Sequence, residues 1–314
     1  MQVKKPKFWD YKKPNYIALI LWPISKLIQL INIFKLKKKI KFTKIKTICI
    51  GNIYLGGTGK TSLAIKINDL LGKKNIKCCF IKKYYPNQID EIRLLQKNGV
   101  VFTDKNRVAS VKKAINQKFE YAIFDDGLQD HSIDYDYKLL CFNTINWIGN
   151  GLEIPSGPLR ENIRNLKKYS HVFLNGNTEN NEKIKKYILK INPKISIYYG
   201  SYNISNLEEF NIKENFIAFS GIGNHQSFIY SLKKNKIKVI KDIEYADHYN
   251  YSNKDLMEIV ELAKKLNCKI VTTEKDYLRI NNENKINIQV VKSKLSYKYE
   301  NDLINNILNL NAKS

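Results

Sequence analysis

One segment limits the possible folds of this chain more than any other: GNIYLGGTGKTS, Gly51–Ser62. It matches the phosphate-loop pattern G-x-x-x-x-G-K-[ST], except that Tyr54 stands where the pattern has glycine. The double glycine at Gly56 and Gly57 still supplies a permissive backbone. Such a loop predicts a nucleoside triphosphate site when a buried strand leads into it and a helix leaves it.

Both flanking elements are present in the sequence. KTICI, residues 46–50, is short, apolar and β-branched, which predicts a buried strand. Apolar residues recur at helical spacing from Leu63 to Leu71, just before Gly72, which predicts a helix. We therefore expect the loop's N–H groups to turn toward a polyphosphate at the positive end of that helix.

The expected nucleotide-binding residues are Gly56, Gly57, Thr58, Gly59, Lys60, Thr61 and Ser62. Lys60 is expected to contact the β- and γ-phosphates of the nucleotide, and the Thr61 hydroxyl is expected to bind Mg²⁺. A partner carboxylate is expected from YAIFDDGLQD, residues 121–130, where an apolar strand ends in Asp125 and Asp126. Adjacent acids also occur in ordinary turns, but the upstream loop favours a metal-linked role.

Composition narrows the possibilities less than this loop does. The net charge of +25 could favour nucleic acid or an anionic membrane. Lysine is abundant along the whole chain, however, so solvated surface also accounts for much of the charge. The five cysteines form no C-x-x-C pair, so neither a zinc site nor a disulfide framework is indicated, and a reducing cytosol fits best.

The N-terminal segment YIALILWPISKLIQLINIF, residues 16–34, is nearly long enough to cross a bilayer. Pro23 and Lys26 argue against a crossing. Gln29 and Asn32 follow Ser25 by four and seven residues, so the three polar side chains make one stripe on an otherwise apolar helix. That pattern is typical of a helix that lies in the membrane interface.

Flanking residues support the same interpretation. Trp9 and Trp22 are expected to be interfacial anchors, and the lysines of KLKKKIKFTKIK, residues 35–46, are expected to face anionic headgroups. The alternative is a core-packed helix followed by a solvated basic turn. If the segment is an anchor, removing residues 1–36 should weaken membrane binding and leave the nucleotide contacts intact.

Short apolar runs alternate with helical or irregular sequence along the rest of the chain. This alternation predicts an α/β fold, a P-loop NTPase-like parallel sheet with helices on both faces. The composition turns polar near 208–215, and a second α/β series follows. We expect a membrane-associating segment (1–40) with an interface helix, a phosphate-loop core (41–207) and a smaller C-terminal α/β subdomain (208–314).

Six motifs then occur in a fixed order: GNIYLGGTGKT at Gly51, DDGLQ at Asp125, PSGPLRE at Pro155, GIGN at Gly221, ADH at Ala246 and TEKD at Thr273. In this set and order the chain resembles, over nearly its whole length, the tetraacyldisaccharide 4'-kinases of lipid A biosynthesis in Gram-negative bacteria. The resemblance implies Mg²⁺-dependent transfer of the ATP γ-phosphoryl group to the 4'-hydroxyl of an acylated glucosamine disaccharide 1-phosphate, giving lipid IVA. It also implies peripheral or monotopic attachment to the cytoplasmic face of the inner membrane, an anionic surface.

The resemblance further implies roles for single residues. Asp90, in IDEIRLL, matches the proposed catalytic base, and His248, in ADH, matches the histidine that cooperates with it. Arg160 matches a phosphate contact, and Glu161 a residue near the metal. The implied catalytic set is Asp90, His248, Lys60 and Arg160, and the implied metal set is Thr61, Asp125, Asp126, Gln129 and Glu161.

The chain departs from the family pattern at three places. IKKYY, residues 81–85, replaces the usual SRGYG, so that Lys82 stands for arginine. DGLQD has Asp130 where a histidine is usual, and GIGNH has His225 where a proline is usual, a change expected to have no catalytic meaning.

Two other function classes share some of these sequence features. A membrane-associated partner-switching ATPase also combines a double-glycine loop with an amphipathic helix. That class has a lysine directly before the double glycine, where this chain has Leu55, and its helix is C-terminal. A nucleic-acid-binding NTPase is suggested by charge alone, and the sequence has no aromatic-and-basic recognition motif, so no nucleic-acid partner is expected.

Overall fold

The computed structural model describes residues 5–34, 39–176, 181–281, 287–298 and 300–309. The helices within them are α1 (Tyr16–Phe34), α2 (Lys60–Gly72), α3 (Ile89–Gln96), α4 (Arg107–Asn116), α5 (Asn181–Ile191), α6 (His225–Lys234), α7 (Asn253–Lys265), α8 (Glu274–Tyr277) and α9 (Glu300–Leu308). The strands are β1 (Lys46–Gly51), β2 (Cys78–Lys83), β3 (Val101–Asp104), β4 (Tyr121–Asp125), β5 (Tyr137–Asn143), β6 (His171–Asn175), β7 (Ser196–Ile204), β8 (Asn215–Ser220), β9 (Lys238–Glu244), β10 (Lys269–Thr273), β11 (Ile288–Val291) and β12 (Ser293–Lys298).

The larger sheet has the order β12-β7-β6-β5-β1-β4-β2-β3, and its pairs from β7 to β3 are parallel. Strand β1 lies between β4 and β5, with Ile48 opposite Ile123 and Tyr137. Its residues after Lys46 are all buried, as expected for a parallel strand covered on both faces. This confirms the predicted α/β class. It also brings the carboxyl ends of β1, β4, β5 and β6 to one edge of the sheet.

The smaller sheet has the order β11-β10-β8-β9, again with parallel pairs. Side chains of β8 alternate between its two faces. Phe216 packs in a core cluster with Leu232 of α6, and Phe219 packs in a second cluster with Ile259 of α7. His225 is buried at the start of α6 and contacts Oγ of Ser220 (2.7 Å), which connects this helix to β8.

Contacts between residues divide the chain into two compact units. The smaller contains the described residues of Asn87–Leu94 and Tyr202–Ser296, together with Lys5, and the larger contains the other described residues. The expected boundary between the phosphate-loop core (41–207) and the C-terminal subdomain (208–314) differs from this division, because Asn87–Leu94 belongs to the smaller unit and α9 to the larger. The last helix, α9, belongs to the larger unit because Glu300 pairs with Lys66 of α2 (2.9 Å).

The predicted N-terminal helix is present as α1 in the larger unit, and part of its polar stripe contacts residues 153–156. The hydroxyl of Ser25 donates to the carbonyl oxygen of Glu153 (3.0 Å) and lies 2.8 Å from that of Ser156. Lys26 Nζ lies 3.6 Å from the Glu153 carboxylate. The side chain of Asn32, and residues 35–38 of the predicted basic stretch, lie outside the described residues.

The apolar side of α1 is exposed. Leu19, Ile20 and Leu27 are 61%, 72% and 59% accessible, and Trp22 is 44% accessible. No helix in the described part of the chain combines the length and apolarity that a membrane crossing requires.

The expectation that Trp9 is an interfacial anchor is wrong. Trp9 lies in a short 3₁₀ helix, Lys7–Asp10, and is only 7% exposed. Its indole N–H donates to the carbonyl oxygen of Pro155 at 3.0 Å. Because the ring is buried and its N–H has a hydrogen-bond partner inside the protein, Trp9 fixes the N-terminal segment to the segment around Pro155.

Candidate active site

The predicted strand, loop and helix follow one another as β1, residues 52–59 and α2. Gly56 has φ 142° and Gly59 has φ 88°, so both positions use the conformational freedom of glycine. Gly59 is the residue that precedes the first turn of α2. The loop therefore reaches the positive end of a helix dipole, where backbone N–H groups favour an anion.

Two asparagines hold the loop from inside the protein. The side-chain amide of Asn52 donates to the carbonyl oxygens of Tyr54 (2.6 Å) and Gly56 (3.1 Å). The amide of Asn175, at the end of β6, donates to the carbonyl oxygen of Thr58 (3.2 Å). The sequence analysis singled out neither asparagine, because a strand-terminal asparagine carries no distinctive spacing.

Tyr54, at the position of the consensus glycine, is a core residue. It is 2% exposed, and its hydroxyl donates to Oδ1 of Asp10 (2.6 Å) and accepts from the amide of Asn146 (3.2 Å). The loop bends at Gly56 and Gly59 instead, so a large side chain is tolerated at residue 54. The same hydroxyl connects the loop to the N-terminal segment.

Asp125 reaches the first turn of α2. Its Oδ2 accepts from the hydroxyl of Thr61 (3.0 Å) and from Nζ of Lys82 (2.7 Å). Its Oδ1 is buried without a hydrogen-bond partner among the described residues. An unsatisfied carboxylate oxygen beside a threonine hydroxyl fits a Mg²⁺ ion, which takes oxygen ligands and completes its shell with water and phosphate.

Asp126, the next residue, gathers the cations of the site. Arg160 Nη1 donates to its Oδ1 (2.9 Å), and Lys60 Nζ lies 3.8 Å from the same atom. Arg160 also donates to Oε1 of Gln129 (2.7 Å), whose amide donates to the carbonyl oxygen of Asn52 (2.9 Å). The structure thus brings Lys60, Arg160, Asp126 and Gln129 together beside the phosphate loop.

The backbone of Asp126 is in the left-handed region, with φ 59°. Aspartate tolerates this conformation better than most residues, and such strain is typical of functional sites. Arg107 supports it by donating to the Asp126 carbonyl oxygen (2.7 Å). Burial would raise the pKa of the Asp126 carboxyl, but the charges of Lys60 and Arg160 outweigh it and lower the pKa to about 2.

Glu161 was expected near the metal, and both of its carboxylate oxygens accept hydrogen bonds from residues close to it in the chain. Its Oε1 accepts from the hydroxyl of Tyr169 (2.6 Å) and its Oε2 from the amide of Asn165 (2.8 Å). The described residues include no group of three or more acidic, histidine or cysteine side chains placed to hold a metal ion. Glu161 as a metal neighbour stays a prediction.

Asp90 and His248 meet within the smaller unit. Asp90, in the first turn of α3, lies 3.1 Å through Oδ1 from Nδ1 of His248. His248 has φ 58°, and its backbone N–H donates to the carbonyl oxygen of Gly221 (2.9 Å). Burial would raise the pKa of Asp90, but His248 and Arg279 lower it to about 2, so the carboxyl is ionised near neutral pH. Arg279, which sequence reasoning missed, donates to Oδ2 of Asp90 (2.6 Å).

A glycine-rich loop between a central parallel strand and a helix, with a carboxylate from the next strand on the loop's hydroxyl, defines a P-loop nucleotide-binding protein. Comparison with known proteins narrows this class. The chain matches the family model of tetraacyldisaccharide-1-P 4'-kinases over residues 17–312. It therefore belongs to this family of lipid A biosynthesis kinases, and the partner-switching ATPase alternative is set aside.

Individual relatives agree with the family match. The chain is 56% identical over 314 residues to the tetraacyldisaccharide 4'-kinase of Pelagibacter ubique (strain HTCC1062), covering 100% of both chains. It is 32% identical over 298 residues to that of Rickettsia typhi, covering 88% of this chain and 89% of the relative. A crystal structure of LpxK from Aquifex aeolicus in complex with ATP has a similar fold, with TM-score 0.64 and 20% identity over 93% of this chain and 96% of that one.

Proposed function

We propose that this chain transfers the γ-phosphoryl group of ATP to the 4'-hydroxyl of tetraacyldisaccharide 1-phosphate, which gives lipid IVA. The acceptor is the one for which the family is named. The observation that carries the proposal is the hydrogen bond from Thr61 to Asp125 at the start of α2, in a chain of this family. It couples the phosphate loop to an acidic side chain, the combination that phosphoryl transfer requires.

The loop of residues 56–62 binds the phosphates of ATP. Lys60 and Arg160 supply positive charge, and both pair with Asp126 beside this loop. At 3.8 Å the contact between Lys60 and Asp126 is loose, so phosphate oxygens compete for Lys60 with little loss. Arginine suits a phosphate because its planar fork can make two parallel hydrogen bonds.

Thr61 and Asp125 would hold Mg²⁺, with Asp126 beside them. The free Oδ1 atom of Asp125 supports this assignment. Gln129 acts on the same site by orienting Arg160. When bound, Mg²⁺ neutralises the charge on the transferring phosphoryl group.

Asp90 accepts the proton of the acceptor hydroxyl, and His248 is its partner. Asp90 is ionised, so it can accept a proton, and its contact with His248 fixes one of its two oxygens. General-base assistance of this kind typically contributes about 10²- to 10⁴-fold in rate.

The test is phosphorylation of a tetraacyldisaccharide 1-phosphate by labelled ATP. Asp90→Asn and His248→Gln should lower kcat by about 10²-fold or more, with little change in KM for ATP, because both residues serve the acceptor. Asp69→Asn and His131→Gln are matched controls at exposed positions. If folded wild-type protein does not phosphorylate the acceptor, the proposed kinase reaction is refuted. If a variant keeps full turnover, the role proposed for the substituted residue is refuted.

We also propose that α1 rests on the anionic surface of the inner membrane, at its cytoplasmic face. The support is the orientation of the helix: Ser25 and Lys26 contact the protein, while Leu19, Ile20 and Leu27 are left exposed. An apolar helix face of this kind inserts at the boundary between headgroups and acyl chains.

Vesicle flotation tests this attachment. The triple change Leu19→Gln, Ile20→Gln and Leu27→Gln should abolish binding to vesicles that contain anionic lipid. Met257→Gln, at a position in α7 that is 63% exposed, should leave binding unchanged. Equal flotation of the triple variant and the wild type would refute the attachment by α1.

A further inference from the structure

Arg279 follows α8 and carries a buried guanidinium group, with the side chain 6% exposed. Its Nη1 donates to the carbonyl oxygen of Gly221 (2.6 Å) and lies 3.1 Å from Oδ1 of Asp276. Its Nη2 donates to Oδ2 of Asp90 (2.6 Å). The two ends of the arginine fork therefore connect two carboxylates that lie far apart in the sequence.

Asp276 holds the guanidinium group of Arg279 in place. It is fully buried, and its Oδ1 also accepts from the backbone N–H of Gly221 (2.9 Å) and from the hydroxyl of Tyr251 (2.8 Å). Its Oδ2 accepts from the hydroxyl of Thr273 (2.6 Å). A carboxylate with this many donors cannot swing, so the guanidinium group is held in one orientation.

Arg279 and Gly221 also contact His248. The carbonyl oxygen of Gly221 accepts both from Nη1 of Arg279 and from the backbone N–H of His248. Nη2 of Arg279 lies 3.4 Å from Nδ1 of His248. One buried arginine therefore contacts both members of the Asp90–His248 pair.

A second bridge restrains the helix that bears Asp90. Lys275 Nζ lies 2.9 Å from Oε1 of Glu91, the neighbour of Asp90 in the first turn of α3. With Arg279 bound to Asp90, two ion pairs tie the region of α8 to this turn. The carboxylate of Asp90 can then rotate little, which leaves Oδ1 directed to His248.

We propose that Arg279 is a positioning residue for phosphoryl transfer: it holds Oδ2 of Asp90 so that Oδ1 is presented to His248. This inference rests on the proposed role of Asp90 as proton acceptor. A direct contact between Arg279 and substrate phosphate is the competing role. The geometry favours positioning, because Nη1 and Nη2 are both bound within the protein and Nε is buried.

The test is a double-mutant cycle between Arg279→Met and Asp90→Asn, followed by acceptor phosphorylation. Alone, Arg279→Met should lower kcat on the order of 100-fold, because a displaced base loses its alignment, and KM for ATP should stay within about twofold. In the Asp90→Asn background the same change should lower kcat by less than about threefold, because its target has lost its function. Arg93→Met, an exposed arginine in the same helix as Asp90, is the matched control.

Independent, multiplicative losses in the double variant would overturn the positioning role and indicate that Arg279 acts on substrate directly. Full turnover in Asp90→Asn alone would instead refute the proposed base, so the two failures are distinguishable. Where Arg279→Met does not fold, Arg279→Lys replaces it in the cycle. Lysine keeps the charge but cannot span Asp90 and Asp276, so a partial loss of kcat is expected, and a wild-type kcat would overturn the proposal.

Discussion

Nζ of Lys82 lies 2.7 Å from Oδ2 of Asp125, and both side chains are buried, 3% and 0% exposed. Lys82 lies next to the last residue of β2, and Asp125 is the last residue of the neighbouring strand β4, beside the phosphate loop. Lysine therefore keeps a positive charge against Asp125 at the position where the family pattern has arginine. The difference from the family pattern is compatible with an intact site.

The first prediction concerns this ion pair. Lys82→Met should lower the free energy of unfolding by about 3–5 kcal/mol, because it leaves a buried carboxylate without its cation. Urea denaturation measures the effect. Saturating ATP and Mg²⁺ should recover part of it, since a ligand that binds only the folded state stabilises it. Lys83→Met, on the next residue and less buried, is the control, and equal stability of the two variants would contradict the prediction.

The second prediction concerns the charge balance around Asp126. Asp126→Asn removes the acid that Lys60 and Arg160 share. The affinity for ATP in EDTA should rise by about tenfold, because Lys60 and Arg160 no longer lose an ion pair with Asp126 when they bind the phosphates. Turnover with Mg²⁺ should fall. Calorimetry with and without Mg²⁺ separates the two effects, Asp134→Asn is the control, and weaker binding in EDTA would contradict this account.

The third prediction concerns stability against pH. Burial lowers the pKa of His171 to about 4, and its ring stacks on Tyr137 with centroids 4.1 Å apart. The unfolded chain binds this proton near pH 6.5, so stability should fall as the pH drops from about 6.5 to 4, by up to about 3 kcal/mol. His171→Phe keeps a stacked ring and should remove this slope. His131→Gln, at an exposed position, should keep it, and identical pH profiles of wild type and His171→Phe would contradict the prediction.

The fourth prediction concerns Asp90. Its lowered pKa, about 2, means that its ion pairs stabilise the folded state fully above the unfolded value of about 4 and lose that contribution as the pH falls toward 2. The difference in unfolding free energy between wild type and Asp90→Asn should therefore shrink by about 2 kcal/mol as the pH falls from about 4 toward 2. Denaturation at several pH values measures it. A difference that stays the same from pH 5 down to pH 2 would contradict the prediction.

Much of the larger unit could be predicted from sequence. The strand at residues 46–50, the loop and the helix that starts at Lys60 follow from apolar spacing and glycine placement, which are local properties. Strands β3 and β7 were missed for local reasons too. β3 has only four residues, and β7, SIYYGSYNI, contains an interior glycine and several polar residues.

The candidate site divides in the same way. Lys60, Thr61, Asp125 and Asp126 lie in motifs, so their proximity was predictable. Their supports are single residues on distant segments: Arg107 on the Asp126 carbonyl oxygen, and Arg279 on Asp90, which is 189 positions away in the chain. No spacing rule joins such pairs, because only the folded topology decides which segments meet.

The hydrogen bond from Tyr54 to Asp10 bears on how this protein should be prepared for experiments. A shortened form without residues 1–36 is an obvious route to detergent-free material. It would also remove Asp10, the hydrogen-bond partner of Tyr54 in the phosphate loop. The Trp9 indole that donates to Pro155 and the Ser25 hydroxyl that contacts Ser156 would be lost as well. The sequence predicted that this truncation leaves the nucleotide contacts intact, whereas these contacts predict weaker ATP binding by the shortened form, whatever the role of lipid. Substitutions of exposed residues on α1 therefore test membrane attachment without disturbing the phosphate loop.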